Sequence, residues 1–223
     1  DAAKQQGSSS APIVPIILAV IGIGGVALAW GLQLAQGMGI TGLGEQVVWG
    51  RYIAGFFTAM GAGAALVSLI AASEFTPVLP LSLRRHALLL ALGAFAVGAL
   101  LIAMDVGNPI NLWRILTAGR FTSLMTWDFM LLLLTGALTL LYLFVGWSEK
   151  AATPGTRIVG VLALGAATML VIVEGWMLAT LESRPLWTGG LTVVNFVVLA
   201  FVAGLAAAIM AWKEVAAKLA GWL

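Results

Sequence analysis

The sequence predicts an all-α membrane protein, a bundle of about six transmembrane helices. Hydrophobic residues make up 61% of the 223 residues, charged residues make up 9%, and the mean hydropathy is +1.07. A chain with so little polar surface cannot cover a water-soluble globule. Six apolar runs also reach the length of about 20 residues that a helix needs to span the hydrocarbon core.

The six runs follow one another through short connecting segments. In order, they cover residues 13–34, 48–72, 87–104, 129–147, 158–180 and 191–212. Residues 1–12 form a polar tail without the basic region and apolar core of a signal peptide. Residues 213–223 form an amphipathic segment. We therefore predict one transmembrane helical domain over residues 13–212.

The second run carries small residues at every fourth position. Gly55, Ala59 and Gly63 share one face of the predicted helix. Small residues at this spacing let two membrane helices approach closely. The stripe therefore predicts a tight contact with a neighbouring helix.

The basic residues predict the orientation. With the amino terminus in the cytoplasm, seven lysines and arginines lie inside and four lie outside, in agreement with the positive-inside rule. The inner set is Lys4, Arg84, Arg85, Lys150, Arg157, Lys213 and Lys218, and the outer set is Arg51, Arg114, Arg120 and Arg184. Both termini are then cytoplasmic.

Several function classes are excluded by composition. The chain has no cysteine, so it can hold no thiolate-bound iron-sulfur cluster, and its single histidine, His86, cannot supply both axial ligands of a bis-histidine haem. No metal site is predicted. A net charge of +2 without a basic cluster gives no support for a nucleic-acid partner.

Glu174 is the most informative residue, because it lies inside an apolar run long enough to cross a bilayer. An ionisable group at that depth costs a few kcal/mol and usually lines an internal cavity or pathway. In the predicted topology it lies about two helical turns below the outer surface. A structural alternative is a carboxylate bonded to a neighbouring helix.

Two further acids, Asp105 and Asp128, fall near the same outer face. Asp105 ends the third run, before the helix-breaking Gly107 and Pro109, and Asp128 follows Ser123 at the start of the fourth. Solvation of helix ends explains both acids equally well. Their location nevertheless places the polar groups able to take part in chemistry at the outer face, together with Glu174.

Four segments resemble the NrfD-type membrane subunits of polysulfide reductases. They are VVWGRYIAGFFTAMGAGA, LLIAMDVGNPINLWRIL, FTSLMTWDF and VEGWMLATLESRPLW, in this order. They are similar to the family's W-G-x-Y helix entry, its D-L-G-x-P-x-R-x-W turn, its S-x-M-S-W-D helix start and its R-P-x-W loop. The chain departs from the family at Val106, where leucine is common, and at Asn111, where arginine is common. Members usually have eight or more spans.

This resemblance implies a quinone-reactive membrane subunit of a multi-subunit oxidoreductase, often one with a molybdopterin catalytic subunit. The substrate would be menaquinone or ubiquinone. An iron-sulfur subunit would dock on the outer face, which we expect at residues 107–126 and 182–190. The expected location is a prokaryotic cytoplasmic membrane, where the chain meets lipid and the quinone pool.

Quinol oxidation requires an apolar slot and a group that takes up a proton. Glu174 is the expected acceptor or relay, with Asp105 and Asp128 passing protons to the outer surface. Arg51 and Arg114 could hold these acids ionised. Further candidates for the pocket are Trp49, Tyr52, Trp113, Asn195 and Gln33. The inner halves of the spans lack an obvious chain of carboxylates, which favours a scheme without transmembrane proton transfer.

Two alternatives belong to other classes. A small transporter or channel subunit would use Glu174 and Asn195 as a midmembrane site and would show internal pseudo-symmetry. A purely structural anchor would have no quinone pocket.

Overall fold

The computed structural model describes residues 13–41, 50–106, 109–181 and 185–220, which are helical and contain no strand. They divide into two compact units, residues 1–48 and 49–223. The first unit contains α1, Ile13–Gln36, with an apolar stretch over Val20–Gln36. A short 3-10 helix, Met38–Thr41, follows it.

The second unit contains five helices that are long and apolar enough to cross a membrane: α2, Arg51–Ala72; α3, Arg84–Asp105; α5, Leu124–Val145; α6, Pro154–Ala179; and α7, Gly190–Ala211. The short α4, Arg114–Ala118, precedes α5, and α8, Lys213–Ala220, follows α7. The predicted all-helical bundle is confirmed. The observed helix ends differ from the predicted ones by a few residues, most at α5, which begins five residues earlier.

The predicted close contact of the second span is present between α2 and α3. A Cβ atom at Gly55 would lie 2.9 Å from Leu101 Cδ1, and one at Gly63 would lie 2.7 Å from Phe95 Cε1. At Gly63 the Cβ atom would also lie 3.1 Å from the carbonyl oxygen of Ala91, which leaves no room for a side chain, whereas at Gly55 the tip of Leu101 would have to move aside. The small residues therefore set the separation of these two helices.

Helix α2 lies at the centre of this unit, against α3, α6 and α7. Glu74, just after α2, accepts hydrogen bonds from Tyr142 near the end of α5 and from Thr156 near the start of α6, and Arg84 at the start of α3 contacts the connection between α5 and α6. Successive long helices from α2 to α6 therefore run antiparallel. One end of the unit therefore collects the start of α5 and the ends of α3 and α6, and we name it the Asp128 end. The opposite end collects the end of α2 and the starts of α3 and α6, and we name it the Arg84 end.

A buried ion pair closes the Arg84 end. Arg84 Nη2 lies 2.7 Å from Glu74 Oε1, and both side chains are almost fully enclosed. Tyr142 donates its hydroxyl proton to Glu74 Oε1 at 2.6 Å, and Thr156 Oγ1 donates to Glu74 Oε2 at 2.9 Å. This carboxylate therefore joins α3, α5 and α6 to the end of α2.

The same arginine also fixes the connection between α5 and α6. Its guanidinium donates to the carbonyl oxygens of Glu149, at 2.7 Å, and Ala151, at 3.0 Å. Helix α6 then begins with a capping box in which Thr153 and Thr156 exchange hydrogen bonds. Each buried charge at this end thus has hydrogen-bonding partners, as burial requires.

Candidate functional site

Glu174 lies on the inward side of α6, near the Asp128 end. Its side chain is fully buried. Neither of its carboxylate oxygens has a hydrogen-bond partner within the part of the chain that the structure describes. The alternative of a carboxylate bonded to a neighbouring helix therefore has no support among these residues. A buried acceptor of this kind costs free energy, which points to a functional role.

Asp128 is the second acid of this site. It lies on α5, is 7% exposed, and its Oδ1 atom is buried without a partner among the described residues. It is close enough to Glu174 for the two carboxyl groups to interact electrostatically. The helix begins after Ser123, so Asp128 lies inside its second turn rather than at a solvated end. The burial of Asp128 thus argues against the alternative that it is simply a solvated residue at a helix end.

Asp105 is the last residue of α3, at the same end of the unit. Its side chain is half-buried, and its Oδ1 atom is enclosed without a hydrogen-bond partner in the described part of the chain. Helix α3 packs against α5, which carries Asp128. The three predicted acids are therefore collected at one end of the bundle.

The predicted arginine partners do not pair with these acids. Arg51, at the start of α2, and Arg114, at the start of α4, are both exposed. Within the described ranges, neither forms an ion pair with Asp105, Asp128 or Glu174; the guanidinium of Arg114 instead lies 5.9 Å from the ring centre of Trp113. Among the described residues, Arg51 and Arg114 are therefore not the cationic partners of these acids.

The weaker pocket candidates differ in exposure and in the unit to which they belong. Tyr52 is half-buried on α2, whereas Trp113 and Asn195 are exposed. Gln33 lies in the last turn of α1, in the first unit. Trp49 falls outside the described residues.

An apolar groove opens beside the acids, between α5 and α6. Its volume is about 590 Å³, and its lining residues are Phe121, Thr122, Leu124, Trp127, Leu131, Met169, Val173, Trp176 and Thr180. Asp128 follows Trp127 on α5, and Glu174 follows Val173 on α6. Both acids are buried one position away from groove-lining side chains. The acids themselves do not line the groove; they are buried on the same two helices whose side chains form it.

Two aromatic residues that line the groove are in contact with each other. Trp127 donates its indole N–H to the carbonyl oxygen of Phe121 at 2.8 Å, and the two ring centres lie 6.1 Å apart. A second, smaller groove of about 350 Å³ lies between α6 and α7 and shares Trp176 with the first. Neither groove was predicted, because lining residues on separate helices leave no pattern in the sequence.

Comparison with known proteins assigns the family. The family description "Polysulphide reductase, NrfD" matches residues 39–219, which is most of the chain. The chain belongs to the NrfD family. This confirms the resemblance inferred from the four motifs, which lie within the matched range.

Two curated relatives of this NrfD-family chain are similar over most of its length. One, from Halobacterium salinarum, is named as a membrane subunit of a dimethyl sulfoxide reductase and is 32% identical over 85% of this chain and 47% of the relative. The other, from Archaeoglobus fulgidus, is named as an Hdr-like menaquinol oxidoreductase integral membrane subunit and is 29% identical over 86% of this chain and 48% of the relative. The chain thus spans about half the length of these relatives. No solved structure matches it.

Sequence reasoning missed the buried polar residues of the NrfD-family bundle outside the Asp128 end. The sequence indicates Arg84 only as an inner-face charge and gives no sign that Glu74 is buried. Thr135, Thr139 and Tyr142 on α5 were also missed, although their spacing places them on one side of a helix. That spacing is the sequence signal that could have indicated a buried polar side of α5.

Proposed function

We propose that this chain is the quinone-reactive membrane subunit of a multi-subunit oxidoreductase. The observation that carries the proposal is the fully buried Glu174, with neither oxygen partnered among the described residues and with Asp128 beside it. Their neighbours in sequence, Val173 and Trp127, line an apolar groove. A quinone ring and its tail require an apolar slot with a small number of polar groups. The groove and the two acids together meet this requirement.

The chemistry assigned to the chain is proton transfer. Quinol oxidation releases two electrons and two protons, and quinone reduction reverses this. Glu174 and Asp128 accept or return the protons, because a carboxylate within hydrogen-bond reach acts as a general base. Asp105, at the end of α3, would exchange protons with the solution at the Asp128 end.

The electrons require a partner, because the chain has no cysteine and one histidine. We propose that an iron-sulfur subunit docks at the Asp128 end and passes electrons to or from a catalytic subunit. Exposed apolar side chains at this end support a docking surface: Ile110 is 81% exposed, Phe121 68% and Leu186 96%. We assign the complex to a prokaryotic cytoplasmic membrane, with both termini of this chain inside.

The transporter alternative is less well supported. It requires Glu174 and Asn195 to form one midmembrane site. Asn195 is exposed on α7, whereas Glu174 is enclosed on α6. The structure therefore offers no paired site for an ion or solute between these two residues.

Photoaffinity labelling tests the proposed site. A photoreactive quinone, added to the complex in its native membrane, should label peptides of α5 and α6 that contain Trp127 or Trp176. Excess unlabelled quinone should suppress this labelling. Labelling confined to other helices would contradict the assignment of the groove.

A further inference from the structure

Arg85 and Trp147 form an exposed cation–aromatic pair at the Arg84 end. The guanidinium of Arg85, in the first turn of α3, lies 3.9 Å from the ring centre of Trp147, which follows the end of α5. Both side chains are exposed. An aromatic ring offers no oxygen to the guanidinium, so the contact orients this group and leaves its N–H donors for an anion.

The charge of this arginine is not neutralised by a carboxylate of the described residues. Within those ranges Arg85 forms no ion pair, and Glu149, two residues after Trp147, is exposed without pairing with it. His86 and Lys150 are exposed next to Arg85 and Glu149 in the sequence. The pair therefore combines a positive charge that lacks a described acidic partner with an indole ring at a helix end, where such rings prefer the membrane interface.

Large apolar side chains extend from this pair toward the middle of the membrane. Helices α3 and α5 pack against each other. Leu89 lies one turn from Arg85 on α3, and Phe144 and Leu140 lie one and two turns from Trp147 on α5. Leu89 is 42% exposed, Phe144 76% and Leu140 47%. The two helices thus present an apolar surface that ends, at the interface, in an arginine and an indole.

We propose that the lipid-facing side of α3 and α5 binds an anionic phospholipid at the Arg84 end. The headgroup phosphate accepts hydrogen bonds from Arg85, since a guanidinium matches the geometry of phosphate oxygens. The acyl chains pack along Leu89, Phe144 and Leu140. The predicted orientation places this end at the cytoplasmic leaflet, whose anionic lipids attract arginine and lysine. The proposal does not depend on the proposed quinone function.

A second exposed arginine at this end differs from Arg85 in its contacts. Arg157, on α6, donates from Nε to the carbonyl oxygen of Glu74 at 3.3 Å, and its guanidinium lies 5.8 Å from the ring centre of Phe75. Part of its hydrogen-bonding capacity is therefore used within the protein. Arg157 has the same charge at the same end of the bundle, so it supplies the matched control for Arg85.

The test uses the full chain, purified with its accompanying subunits and reconstituted in phosphatidylcholine vesicles. The probe is phosphatidylglycerol with a photoreactive group on one acyl chain, compared with phosphatidylcholine that carries the same group. The anionic probe should label peptides containing Leu89 or Phe144 more strongly. Arg85→Met should remove this preference, a loss of about fivefold for one arginine at an anionic surface. Arg85→Lys should retain part of it, because lysine keeps the charge but lacks the planar fork.

Arg157→Met removes one positive charge at the same end and should leave the preference at these peptides intact. Equal losses in Arg85→Met and Arg157→Met would show a general effect of surface charge and overturn the proposed site. Equal labelling by the two probes in the unaltered protein would do the same. Excess inorganic phosphate should have no more effect than chloride at the same ionic strength, because the free anion lacks acyl chains. A specific loss in phosphate would indicate a site for the free anion and contradict the assignment to a lipid.

Discussion

Glu74 and Arg84 form a buried ion pair, with 2.7 Å between Oε1 and Nη2, at the end of the bundle opposite Glu174. The two acids contrast in their surroundings. Glu74 accepts hydrogen bonds from Tyr142 and Thr156, whereas Glu174 has no partner among the described residues. The first arrangement holds helices together, and the second leaves a carboxylate available to react.

Arg84→Met should destabilise the protein, because it leaves Glu74 buried without its cation. Removing one partner of a buried pair typically costs about 3–5 kcal/mol. Adding Glu74→Leu should recover part of the loss, since no charge is then left unpaired. The free energy of unfolding in detergent measures both effects.

Arg85→Met is the control for this pair. Arg85 is exposed, and its guanidinium lies 3.9 Å from the ring centre of Trp147. Such a contact contributes about 0.5–1 kcal/mol at an exposed site. Equal losses in Arg84→Met and Arg85→Met would show that the buried pair does not stabilise the bundle.

Leu131→Trp should weaken quinone binding by filling the groove between α5 and α6. A ring that occupies part of the groove competes with the quinone for space, so we expect the KM for quinone to rise about tenfold, or about 1.4 kcal/mol, with a smaller change in kcat. Leu140→Trp makes the same change on the exposed side of the same helix and should have little effect. Equal KM values in the two variants would place the quinone elsewhere.

Phe121→Cys should report the docking face. The 223 residues contain no cysteine, so the introduced thiol is the one position of this sequence to which a photo-cross-linker attaches. Phe121 is 68% exposed at the Asp128 end, and we expect it to cross-link to the iron-sulfur subunit. Phe75→Cys, at the exposed Arg84 end, is the control. Cross-linking through Phe75 alone would reverse the proposed orientation of the complex.

Asp128→Asn should lower quinone-linked turnover, because Asp128 interacts with Glu174 and belongs to the same proton-accepting site. Residues that act as one unit give non-additive losses. The double variant with Glu174→Gln should therefore be about as slow as the slower single variant. Multiplicative losses in kcat would indicate two independent roles.

The fold could be predicted from the sequence because a membrane imposes a simple requirement. A spanning helix needs about 20 apolar residues and satisfies its own backbone, so composition and run length identify the spans. Glu174 could be predicted as a candidate site residue from the sequence, because it is an ionisable residue within such an apolar run. The helix ends were less certain, since α5 begins with Leu124 and includes the polar Thr126 and Asp128.

The partners of these residues could not be predicted. Glu74 and Arg84 lie at the ends of two helices, where charged residues are ordinarily solvated, and only the packing of α5 and α6 buries them. Likewise, Arg51 and Arg114 have suitable charges but point to solvent. Which side of a helix faces its neighbours depends on the tertiary arrangement.

The most direct test of the quinone site is the turnover of Glu174→Gln in the intact complex. The amide keeps the shape of the side chain but cannot take up a proton, so assembly and quinone binding should persist. Quinone-linked turnover should fall on the order of a hundredfold, the usual effect of losing a general base. Glu149→Gln, which makes the same change at an exposed position, should turn over normally. Turnover of Glu174→Gln at the unaltered rate, with an unaltered pH profile, would contradict the proposed role of Glu174.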